Sequence, residues 1–443
     1  MRFTKYLSKK NNSLPYRKIL IFFVVFFVLI HISSSKISPI TDNHTENISS
    51  KPNIIYILAD DLGYGDLSNL GQKHFKTPNI DKLAKEGMLF TQHYAGSSVC
   101  APSRSSLLTG LHTGNTFIRG NKEVRPEGQF PLPKNTVTFP KMLQTEGYTT
   151  GAFGKWGLGF PGSEGEPLQQ GFDTFYGYNC QRLGHHYYPY HLWDDNQKVI
   201  LDRNSGKKKE QYAPNLIHQK ALNFIDKNKD KPFFLFYPTI IPHAELAAPK
   251  EYMEKFIEKF SPEKPYKGLD DGEKYRNGNY ESQTHPHAAF AAMITLLDDQ
   301  VGEIMQKIKD LGLEKNTIII FTSDNGAHQE GGADPNFFNS TGGLRGFKRD
   351  LFEGGIRVPL IISGIPNMPK SASNRVHASL THVNELQKEL DHQKQANESA
   401  RRQMEQLKAE VSDLKEGLNM VEERARQELG MVKPNEIFVQ IAK

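Results

Sequence analysis

Between residues 51 and 370, short and wholly apolar runs alternate with amphipathic segments. Three of the runs lead directly into acidic, amide or histidine residues. The runs are 54–58, 233–237 and 317–321, and the polar residues that follow them are Asp60, Asp61, His243, Asp324 and Asn325. Such runs are typical of buried strands, whereas segments 79–86, 215–227 and 288–311 have the pattern of helices. This alternation predicts an α/β fold with a mostly parallel central sheet.

Ligands of open parallel sheets bind beyond the carboxyl ends of the strands. We therefore expect the polar residues that follow the three runs to converge on one site. Asp60, Asp61, Asp324 and Asn325 would contribute carboxylate and amide oxygens, which suit Ca²⁺ or Mg²⁺. No Cys/His cluster with zinc spacing accompanies them in the sequence. An Asp-Asp pair without the other residues could instead belong to a helix cap or a turn.

The formal net charge of +5 is concentrated at the amino terminus, because residues 1–18 carry six basic side chains and no acid. The remainder of the 443-residue chain is close to neutral. Without a basic stripe in that remainder, the sequence argues against a nucleic-acid partner.

An unbroken apolar run follows at residues 19–30, and three serines come soon after it. A basic segment, a short apolar run and small polar residues together indicate a secretory signal. Residues 1–32 are therefore predicted to be a signal peptide or, if it is not cleaved, a signal anchor. The run is short for a membrane span, which needs about 20 residues. The Ser/Asn/Thr-rich residues 33–50 are predicted to form a linker.

One of only two cysteines, Cys100, precedes a proline and an arginine in the sequence Cys100-Ala101-Pro102-Ser103-Arg104. This C-x-P-x-R pattern, with Leu-Thr-Gly behind it, resembles the signature of the sulfatase family. Further segments agree with the family in order and spacing, over most of residues 51–370. They are 51–63, 154–159, 242–243, 322–326, 343–348 and 352–359.

The resemblance implies an alkaline-phosphatase-like sandwich and a formylglycine formed from Cys100 by a maturation enzyme. It implies that the formylglycine hydrate attacks sulfur and that Arg104, with the metal, lowers the pKa of the attacking hydroxyl. The implied metal ligands are Asp60, Asp61, Asp324, Asn325 and residue 100, with Ca²⁺ as the ion and Mg²⁺ as the alternative. Lys155, His243 and Lys348 would bind sulfate oxygens, and His243 or Lys348 would protonate the leaving group. The implied substrate is a sulfated carbohydrate or an aryl sulfate.

The sequence departs from the family pattern at two places. Many members have a histidine at the position of Gly157, and His185 or His186 could take over its role. The alternative is that these two histidines belong to a loop of surface aromatics and histidines. Members also continue into a final strand and a C-terminal subdomain, whereas here 361–369 lead almost directly into a different kind of sequence. We therefore expect the catalytic domain, residues 51–370, to lack that subdomain.

From about residue 378 the chain becomes rich in Gln, Glu, Lys, Arg and Leu, with an a/d heptad pattern held for about six repeats. The a positions are Val383, Leu390, Asn397, Met404, Val411, Leu418 and Ala425, and the d positions are Leu386, Gln393, Ala400, Leu407, Leu414 and Val421. This pattern predicts a long coiled-coil helix and favours a two-stranded pairing. A single amphipathic helix packed on the enzyme domain is the alternative.

Residues 380–443 also resemble the septum-formation initiator family, through segments 407–411 and 421–436. That family consists of single-span bacterial division proteins with a periplasmic coiled coil. The resemblance implies a division-protein partner or a coiled-coil dimer, and it makes residues 371–379 a fusion junction. Both parts of the chain would then lie outside the cytoplasm, in the periplasm or anchored to the membrane facing it.

Three functions are consistent with the sequence. The first is an exported sulfatase. The second is a phosphoryl-transfer relative on the same fold, against which Cys100 argues because Ser or Thr would be expected in its place. The third is a catalytically inactive sulfatase domain that works through its coiled coil as an interaction module. Because Cys180 would lack a partner if Cys100 is modified, we expect no structural disulfide.

Overall fold

The computed structural model describes residues 51–365 and four helical residues farther on, Glu398, Ser399, Arg402 and Glu405. Its nine strands are β1 (Asn53–Ala59), β2 (Met88–Tyr94), β3 (Thr149–Lys155), β4 (Thr174–Tyr178), β5 (His191–Asp194), β6 (Gln197–Ile200), β7 (Phe233–Pro238), β8 (Thr317–Ser323) and β9 (Arg357–Ser363). Its α-helices in this range are α1 (Pro78–Glu86), α2 (Cys100–Thr109), α3 (Phe139–Thr145), α4 (Ala213–Asn228), α5 (Lys250–Met253), α6 (Ile257–Phe260), α7 (Pro286–Asp310) and α8 (Glu353–Ile356).

All nine strands form one sheet in the order β2-β9-β8-β1-β7-β3-β4-β5-β6. The five central strands, from β8 to β4, pair in parallel, and the pairs at both edges are antiparallel. In the middle of the sheet Ile55 lies opposite Leu235 on β7 and Ile319 on β8. The predicted α/β class with a mostly parallel sheet is confirmed, and the three apolar runs are the three central strands β1, β7 and β8.

Helices cover both faces of the sheet because the central strands are apolar on both sides. From β1, Ile55 and Ile57 belong to a buried cluster that includes residues of α1, α4 and α7. The next residue, Leu58, belongs to a second cluster with residues of α2 and α3. Successive side chains of a strand point to opposite faces, so a continuous apolar run supplies both clusters.

The three predicted helices correspond to α1, α4 and α7, each within a few residues of its expected ends. The amino terminus of α1 is held by a side chain of α7, since Asp298 accepts hydrogen bonds from the backbone amides of Asn79 and Ile80 at 3.1 and 2.8 Å. A carboxylate at this point satisfies amides that have no partner within the helix. This contact joins two helices on the same face of the sheet.

Several predicted segments lie outside the described residues. They are the signal 1–32, the linker 33–50, the junction 371–379 and, apart from the four helical residues named above, the coiled coil 380–443. The expected absence of a C-terminal subdomain concerns the same part of the chain and stays a prediction. In the part that the structure does describe, no helix combines the length and the apolar character needed to cross a bilayer.

Candidate active site

The ends of four neighbouring parallel strands supply most of the site. Asp60 and Asp61 follow β1, Asp324 and Asn325 follow β8, and Lys155 is the last residue of β3. His243 lies in the segment after β7, where the amide of Asp60 donates a hydrogen bond to the carbonyl of Ile241 at 3.1 Å. The nine predicted site residues form one connected and buried cluster, while their individual roles remain predictions.

Cys100 is the first residue of α2, and its side chain is fully enclosed. Its Sγ lies 3.5 Å from Oδ1 of Asp60 and 3.9 Å from Oδ1 of Asp61. Burial raises the pKa of the Cys100 thiol well above its ordinary value, although the nearby cations of Lys155 and Lys348 act in the opposite direction. The thiol is therefore protonated at neutral pH and is a poor nucleophile as it stands.

The carboxylates around Cys100 form an oxygen-rich cage. Atoms of Asp60, Asp61, Cys100 and His243 that could each bind a cation all lie within 4.8 Å of one another. Asn325 donates its amide hydrogens to Oδ1 of Asp61 at 2.7 Å and to the carbonyl of Gly326 at 3.0 Å. These two contacts fix the orientation of the carboxamide, because only Nδ2 can donate.

The other end of that carboxamide has no hydrogen-bond partner among residues 51–365, although Oδ1 of Asn325 is completely buried. A buried acceptor without a partner is rare, and it points to a ligand that a protein structure alone does not contain. Three carboxylates and one amide oxygen are hard donors, so this set of residues fits Ca²⁺ or Mg²⁺. Asp61 also adopts a φ of 65°, an uncommon conformation for a residue with a side chain.

Segment 343–359, which includes the last predicted motifs, packs against the turn after β8 beside the cage. A Cβ atom at Gly326 would lie 1.9 Å from the carbonyl oxygen of Gly354, which precludes any side chain at this position. The amide of Gly326 donates to the carbonyl of Gly355 at 3.0 Å. Nearby, the amide of Lys348 donates to the carbonyl of Ala327 at 2.8 Å. Segment 343–359 is thus fastened to the turn that carries Asp324 and Asn325.

Arg104 and Lys155 balance the negative charge of the cage. The guanidinium of Arg104 donates to Oδ2 of Asp324 and, through Nη1, to the carbonyl of Lys155 at 2.6 Å. Nζ of Lys155 lies 2.6 Å from Oδ2 of Asp60. Burial opposes the charge of Asp60, yet the cations of Lys155 and Arg104 outweigh it and hold the pKa of this carboxyl far below its usual range. For Asp324, burial and the charge of Asp60 raise the pKa to about 7.

Lys348 and His243 form the other wall of the site. Nζ of Lys348 lies 2.8 Å from Oδ2 of Asp61, 3.1 Å from Nε2 of His243 and 3.1 Å from Oε2 of Glu330. Burial lowers the pKa of His243 well below its ordinary value, and the charge of Lys348 adds to this effect. Nδ1 of His243 is bonded to the carbonyl of Ala244, so the neutral ring presents Nε2 as an acceptor to Lys348.

His185 and His186, the two predicted candidates from the loop after β4, have different surroundings in the structure. The ring of His186 contacts Glu245 at 3.2 Å and accepts from the amide of Gly278 at 2.8 Å, and it does not line the cavity above Cys100. His185 stacks on His243 with a centroid distance of 5.1 Å, and its Nδ1 is 2.7 Å from the carbonyl of Gly278. Only His185 borders the cavity above Cys100.

We call this cavity the inner cavity; it has a volume of about 510 Å³. Besides Cys100, His185, His243 and Lys348, it is lined by side chains that the sequence patterns did not indicate. Among these are Gln181, Tyr280 and Glu330, and the hydroxyl of Tyr280 donates to Glu330 at 3.0 Å. They come from loops without a recognisable motif, so no local sequence signal could have identified them.

Comparisons with known proteins support the resemblance. The family described as sulfatase matches residues 52–392, and the family described as septum formation initiator matches residues 376–443. N-acetylgalactosamine-6-sulfatase of Mus musculus is 32% identical over 334 residues, which are 70% of this chain and 56% of that protein. Arylsulfatase J of Mus musculus is 31% identical over 321 residues, covering 70% of this chain and 47% of that protein. The chain thus spans about half the length of these curated relatives.

Solved structures agree with the sequence comparison. The crystal structure of Ps i-CgsB in complex with k-i-k-neocarrahexaose is 30% identical and has a TM-score of 0.59, covering 73% of this chain and 68% of that one. A sulfatase described within the metabolism of multiple glycosaminoglycans by Bacteroides thetaiotaomicron is 27% identical, with a TM-score of 0.57 and coverage of 76% and 78%. On the match over residues 52–392 and these relatives, the chain belongs to the sulfatase family.

Proposed function

We propose that this chain is an exported sulfatase that hydrolyses sulfate esters of carbohydrates and that residue 100 is the precursor of its nucleophile. The observation that carries the proposal is the position of Cys100, enclosed between Asp60 and Asp61 at the start of α2. A thiol that is buried and protonated there has no evident use as a thiol. Its C-x-P-x-R motif, which resembles the family's signature, supports the proposal that the residue is modified.

The cage would hold a divalent cation through Asp60, Asp61, Asp324, Asn325 and residue 100. Such an ion would supply positive charge that stabilises an attacking oxygen and the developing charge on the sulfate. The free Oδ1 of Asn325 supports this part of the proposal, because a bound cation would satisfy that otherwise orphaned acceptor.

Formylglycine made from Cys100 by a maturation enzyme would supply a hydrated aldehyde, whose two hydroxyl groups serve for attack on sulfur and for release of sulfate. The protein's own residues then have separable tasks. Arg104 orients Asp324 and compensates its charge, since it donates to that carboxylate twice. Lys155 pairs with Asp60 and Lys348 pairs with Asp61, and both lysines would hold the sulfate oxygens.

The proton for the leaving oxygen is best assigned to Lys348. Its pKa is held well above the ordinary value by Asp61 and Glu330, even though burial disfavours its charge. His243 is neutral and accepts from Lys348 at Nε2, so it has no proton to offer on that side of the ring. In this arrangement His243 orients the ammonium group that donates.

The relatives support a carbohydrate substrate. One is an N-acetylgalactosamine-6-sulfatase, another is seen with k-i-k-neocarrahexaose, and a third belongs to glycosaminoglycan metabolism. Arylsulfatases are also among them, so an aryl sulfate is a suitable probe. The proposal is therefore a sulfuric ester hydrolase whose natural substrate is a sulfated sugar.

The full chain, co-expressed with a formylglycine maturation enzyme, should release inorganic sulfate from at least one member of a defined panel. The panel contains N-acetylgalactosamine 6-sulfate, k-i-k-neocarrahexaose and a nitrophenyl sulfate, with a nitrophenyl phosphate added. The variant Cys100→Ala should release none. Preferential hydrolysis of the phosphate ester would favour the phosphoryl-transfer alternative. No release from any ester by a protein whose residue 100 is converted would refute the proposal.

A second candidate function comes from the match of residues 376–443 to the septum formation initiator family. In this alternative the tail binds a division protein or a second copy of the chain, and the sulfatase domain is inactive. Deletion of residues 378–443 tests it. If the first proposal is right, sulfate release persists without the tail. Rescue of a division defect by the tail alone, from a chain without sulfatase activity, would favour the second.

Export to the periplasm, or anchoring to the membrane facing it, is part of the first proposal. Its support is the basic segment followed by the apolar run 19–30. Cell fractionation of the full chain and of a variant without residues 1–32 tests it. The full chain should be found outside the cytoplasm and the shortened chain inside. An identical distribution of the two would contradict export through this segment.

A further inference from the structure

The space beside Gly157 is filled by the end of the Gln181 side chain. Gly157 has a φ of +81°, and a Cβ atom placed on it would lie 1.9 Å from Nε2 and 2.9 Å from Cδ of Gln181. Real Cβ atoms essentially never come within 3.0 Å of such a neighbour, and the distance to Nε2 is far shorter than that. The carboxamide of Gln181 therefore fills the space into which a side chain at residue 157 would project, and the absence of a histidine there leaves no gap.

Gln181 is also an unsatisfied group. The residue is 7% exposed, and neither its Nε2 nor its Oε1 has a hydrogen-bond partner among residues 51–365. Its backbone amide is held by Oε1 of Gln129 at 3.3 Å. A buried carboxamide without partners destabilises a protein unless a ligand completes its hydrogen bonds. Gln181 lines the inner cavity together with Cys100, so a ligand in that cavity can do so.

We propose that Gln181 is a sulfate-binding residue that donates a hydrogen bond to an oxygen of the sulfate group bound above Cys100. It occupies the space into which a side chain at residue 157 would project. This inference rests on the proposed sulfatase function. It assigns to Gln181 the role considered for His185 and His186, both of which are engaged with Gly278.

A stability measurement tests whether Gln181 and a side chain at residue 157 compete for the same space. Gly157→His should lower the melting temperature, because the φ of +81° is strained for a residue with a side chain and the new side chain must displace the end of Gln181. Adding Gln181→Ala removes the displacement and should recover part of that loss, while the strain from the positive φ remains. If the single variant Gly157→His is as stable as the parent, or if the double variant recovers nothing, the two residues do not compete for one space and the inference is wrong.

A binding measurement tests the hydrogen bond. Inorganic sulfate is titrated calorimetrically, with Ca²⁺ present, into the full chain whose residue 100 is still cysteine. Gln181→Leu should weaken sulfate binding by about tenfold, as loss of a hydrogen bond to a charged group does. The matched control Gln169→Leu changes an exposed glutamine outside the inner cavity and should have no effect. Equal affinities of Gln181→Leu and the parent would overturn the inference, even if the chain hydrolyses no sulfate ester.

A second cavity carries an independent inference. This outer cavity has a volume of about 880 Å³ and adjoins the inner cavity, with which it shares five lining residues. They are Arg125, Arg182, Glu273, Asn277 and Gly278. The two cavities therefore lie side by side. The inner cavity reaches Cys100, and the outer cavity reaches the antiparallel edge of the sheet, where β5 contributes Trp193.

The lining of the outer cavity combines aromatic rings with charged side chains of both signs, including Glu127, which pairs with Lys198 at 3.7 Å. Tyr190 is 37% exposed, and Trp193 and Tyr275 border the same space. Nζ of Lys198 lies 5.1 Å from the ring centre of Trp193. Arg125 is exposed, and its guanidinium has no hydrogen-bond or ion-pair partner among residues 51–365. Ring faces pack against the apolar faces of sugars, and a guanidinium binds sulfate or carboxylate through paired donors.

We infer that the outer cavity binds further sugar units of an anionic oligosaccharide whose sulfate ester lies above Cys100. The inference rests on the proposed function and extends it from a sulfated sugar to a sulfated chain. The volume of the outer cavity lies within the range of ligand sites, whereas a single sulfated sugar already requires the inner cavity. Arg125 stands at the boundary, where it could contact an anionic group on the neighbouring unit.

The test compares two probes, k-i-k-neocarrahexaose and N-acetylgalactosamine 6-sulfate. Tyr190→Ala and Lys198→Ala should raise the KM for the hexasaccharide by about tenfold and leave the KM for the monosaccharide unchanged. Direct binding of the hexasaccharide to the chain with cysteine at residue 100 should weaken to the same extent. Phe117→Ala, an exposed aromatic outside both cavities, is the control.

Equal effects of the two variants on both probes, or no effect on the hexasaccharide in either assay, would refute binding in the outer cavity. Failure of the proposed function has a different signature. In that case neither probe releases sulfate, but hexasaccharide binding still differs between the parent and Tyr190→Ala if the outer cavity binds it. The two failures are thus distinguishable.

Discussion

Arg104 directs two guanidinium nitrogens, Nε and Nη2, at one oxygen of Asp324, with distances of 3.0 and 2.8 Å. Its third nitrogen donates to the carbonyl of Lys155 at the end of β3. One side chain thereby ties the end of β8 to the end of β3, across the two strands between them. The geometry uses the planar fork of arginine, which the single ammonium group of lysine cannot reproduce.

The variant Arg104→Lys should therefore lose stability although it keeps the charge. We expect the free energy of unfolding to fall by about 2–3 kcal/mol, since a fully buried pair loses its geometry. Denaturant unfolding measures the change. The control is Arg349→Lys at the exposed contact with Glu330, where a change within about 0.5 kcal/mol is expected. Similar losses of unfolding free energy in the two variants would show that the planar guanidinium of Arg104 is not what stabilises the chain.

Addition of Ca²⁺ should stabilise the chain through the oxygen cage. At a concentration about 100 times the dissociation constant, the gain is about 2.7 kcal/mol, visible as a rise of several degrees in melting temperature. Asn325→Leu removes the unpartnered Oδ1 and should abolish most of that rise, whereas Asn336→Leu at an exposed position should not. A melting temperature of the parent that responds to neither Ca²⁺ nor a chelator would contradict the metal site.

Lys348→Met should slow hydrolysis of esters with poor leaving groups more than esters with good ones. Loss of the sulfate contact should slow both esters. Protonation of the leaving oxygen matters for a sugar alcohol and little for a nitrophenol, so we expect the sugar ester to lose a further factor of about 10²–10⁴ in kcat. Lys155→Met is the matched comparison, because Lys155 contacts Asp60 and should affect both esters alike. If Lys348→Met reduces both rates equally, Lys348 is not the proton donor.

Asp66 should make stability depend on pH. Burial raises its pKa to about 7, although the amide of Gly63 donates to Oδ2 at 2.8 Å and opposes the shift. Because the folded pKa lies above the unfolded value of 3.8, the folded state favours the protonated carboxyl. This contribution is complete at low pH and is lost as the pH rises towards 7 and beyond.

The isosteric variant Asp66→Asn should consequently be more stable than the parent at pH 8, by up to about 4 kcal/mol, and no more stable at pH 4. Chemical denaturation at the two pH values measures this difference. Asp230→Asn, at an exposed position, should show no such dependence. An advantage of Asp66→Asn that is the same at pH 4 and pH 8 would mean that ionisation of Asp66 is not its cause.

The sequence alone predicted the central strands and the polar residues that follow them. Runs such as 54–58 and 317–321 are apolar on both faces, and only the middle of a helix-covered parallel sheet buries both. Once the strands are parallel, their polar carboxyl ends must meet at one edge. The contacts among Asp60, Asp61 and Asp324 follow from that rule together with the order of the strands.

The parts that could not be predicted depend on loops. Nothing in the sequence around Gln181 shows that its carboxamide reaches back to Gly157, because the two residues are joined by the loop 158–173, β4 and a turn, whose path is set by tertiary packing. Glu330 likewise reaches Lys348 only because segment 343–359 folds back onto the turn after β8. Local patterns identify strands, helices and motifs, but not which loop side chain enters a cavity.

The mass of the proteolytic peptide that ends at Arg104 is the most direct test of the account, because the proposed chemistry depends on the conversion of Cys100. The full chain is expressed together with a formylglycine maturation enzyme, and the peptide is compared with that from Cys100→Ser. The account predicts a mass lower than that of the cysteine peptide by the difference between a thiol and an aldehyde. An unmodified cysteine in protein that was expressed with the active maturation enzyme would contradict it.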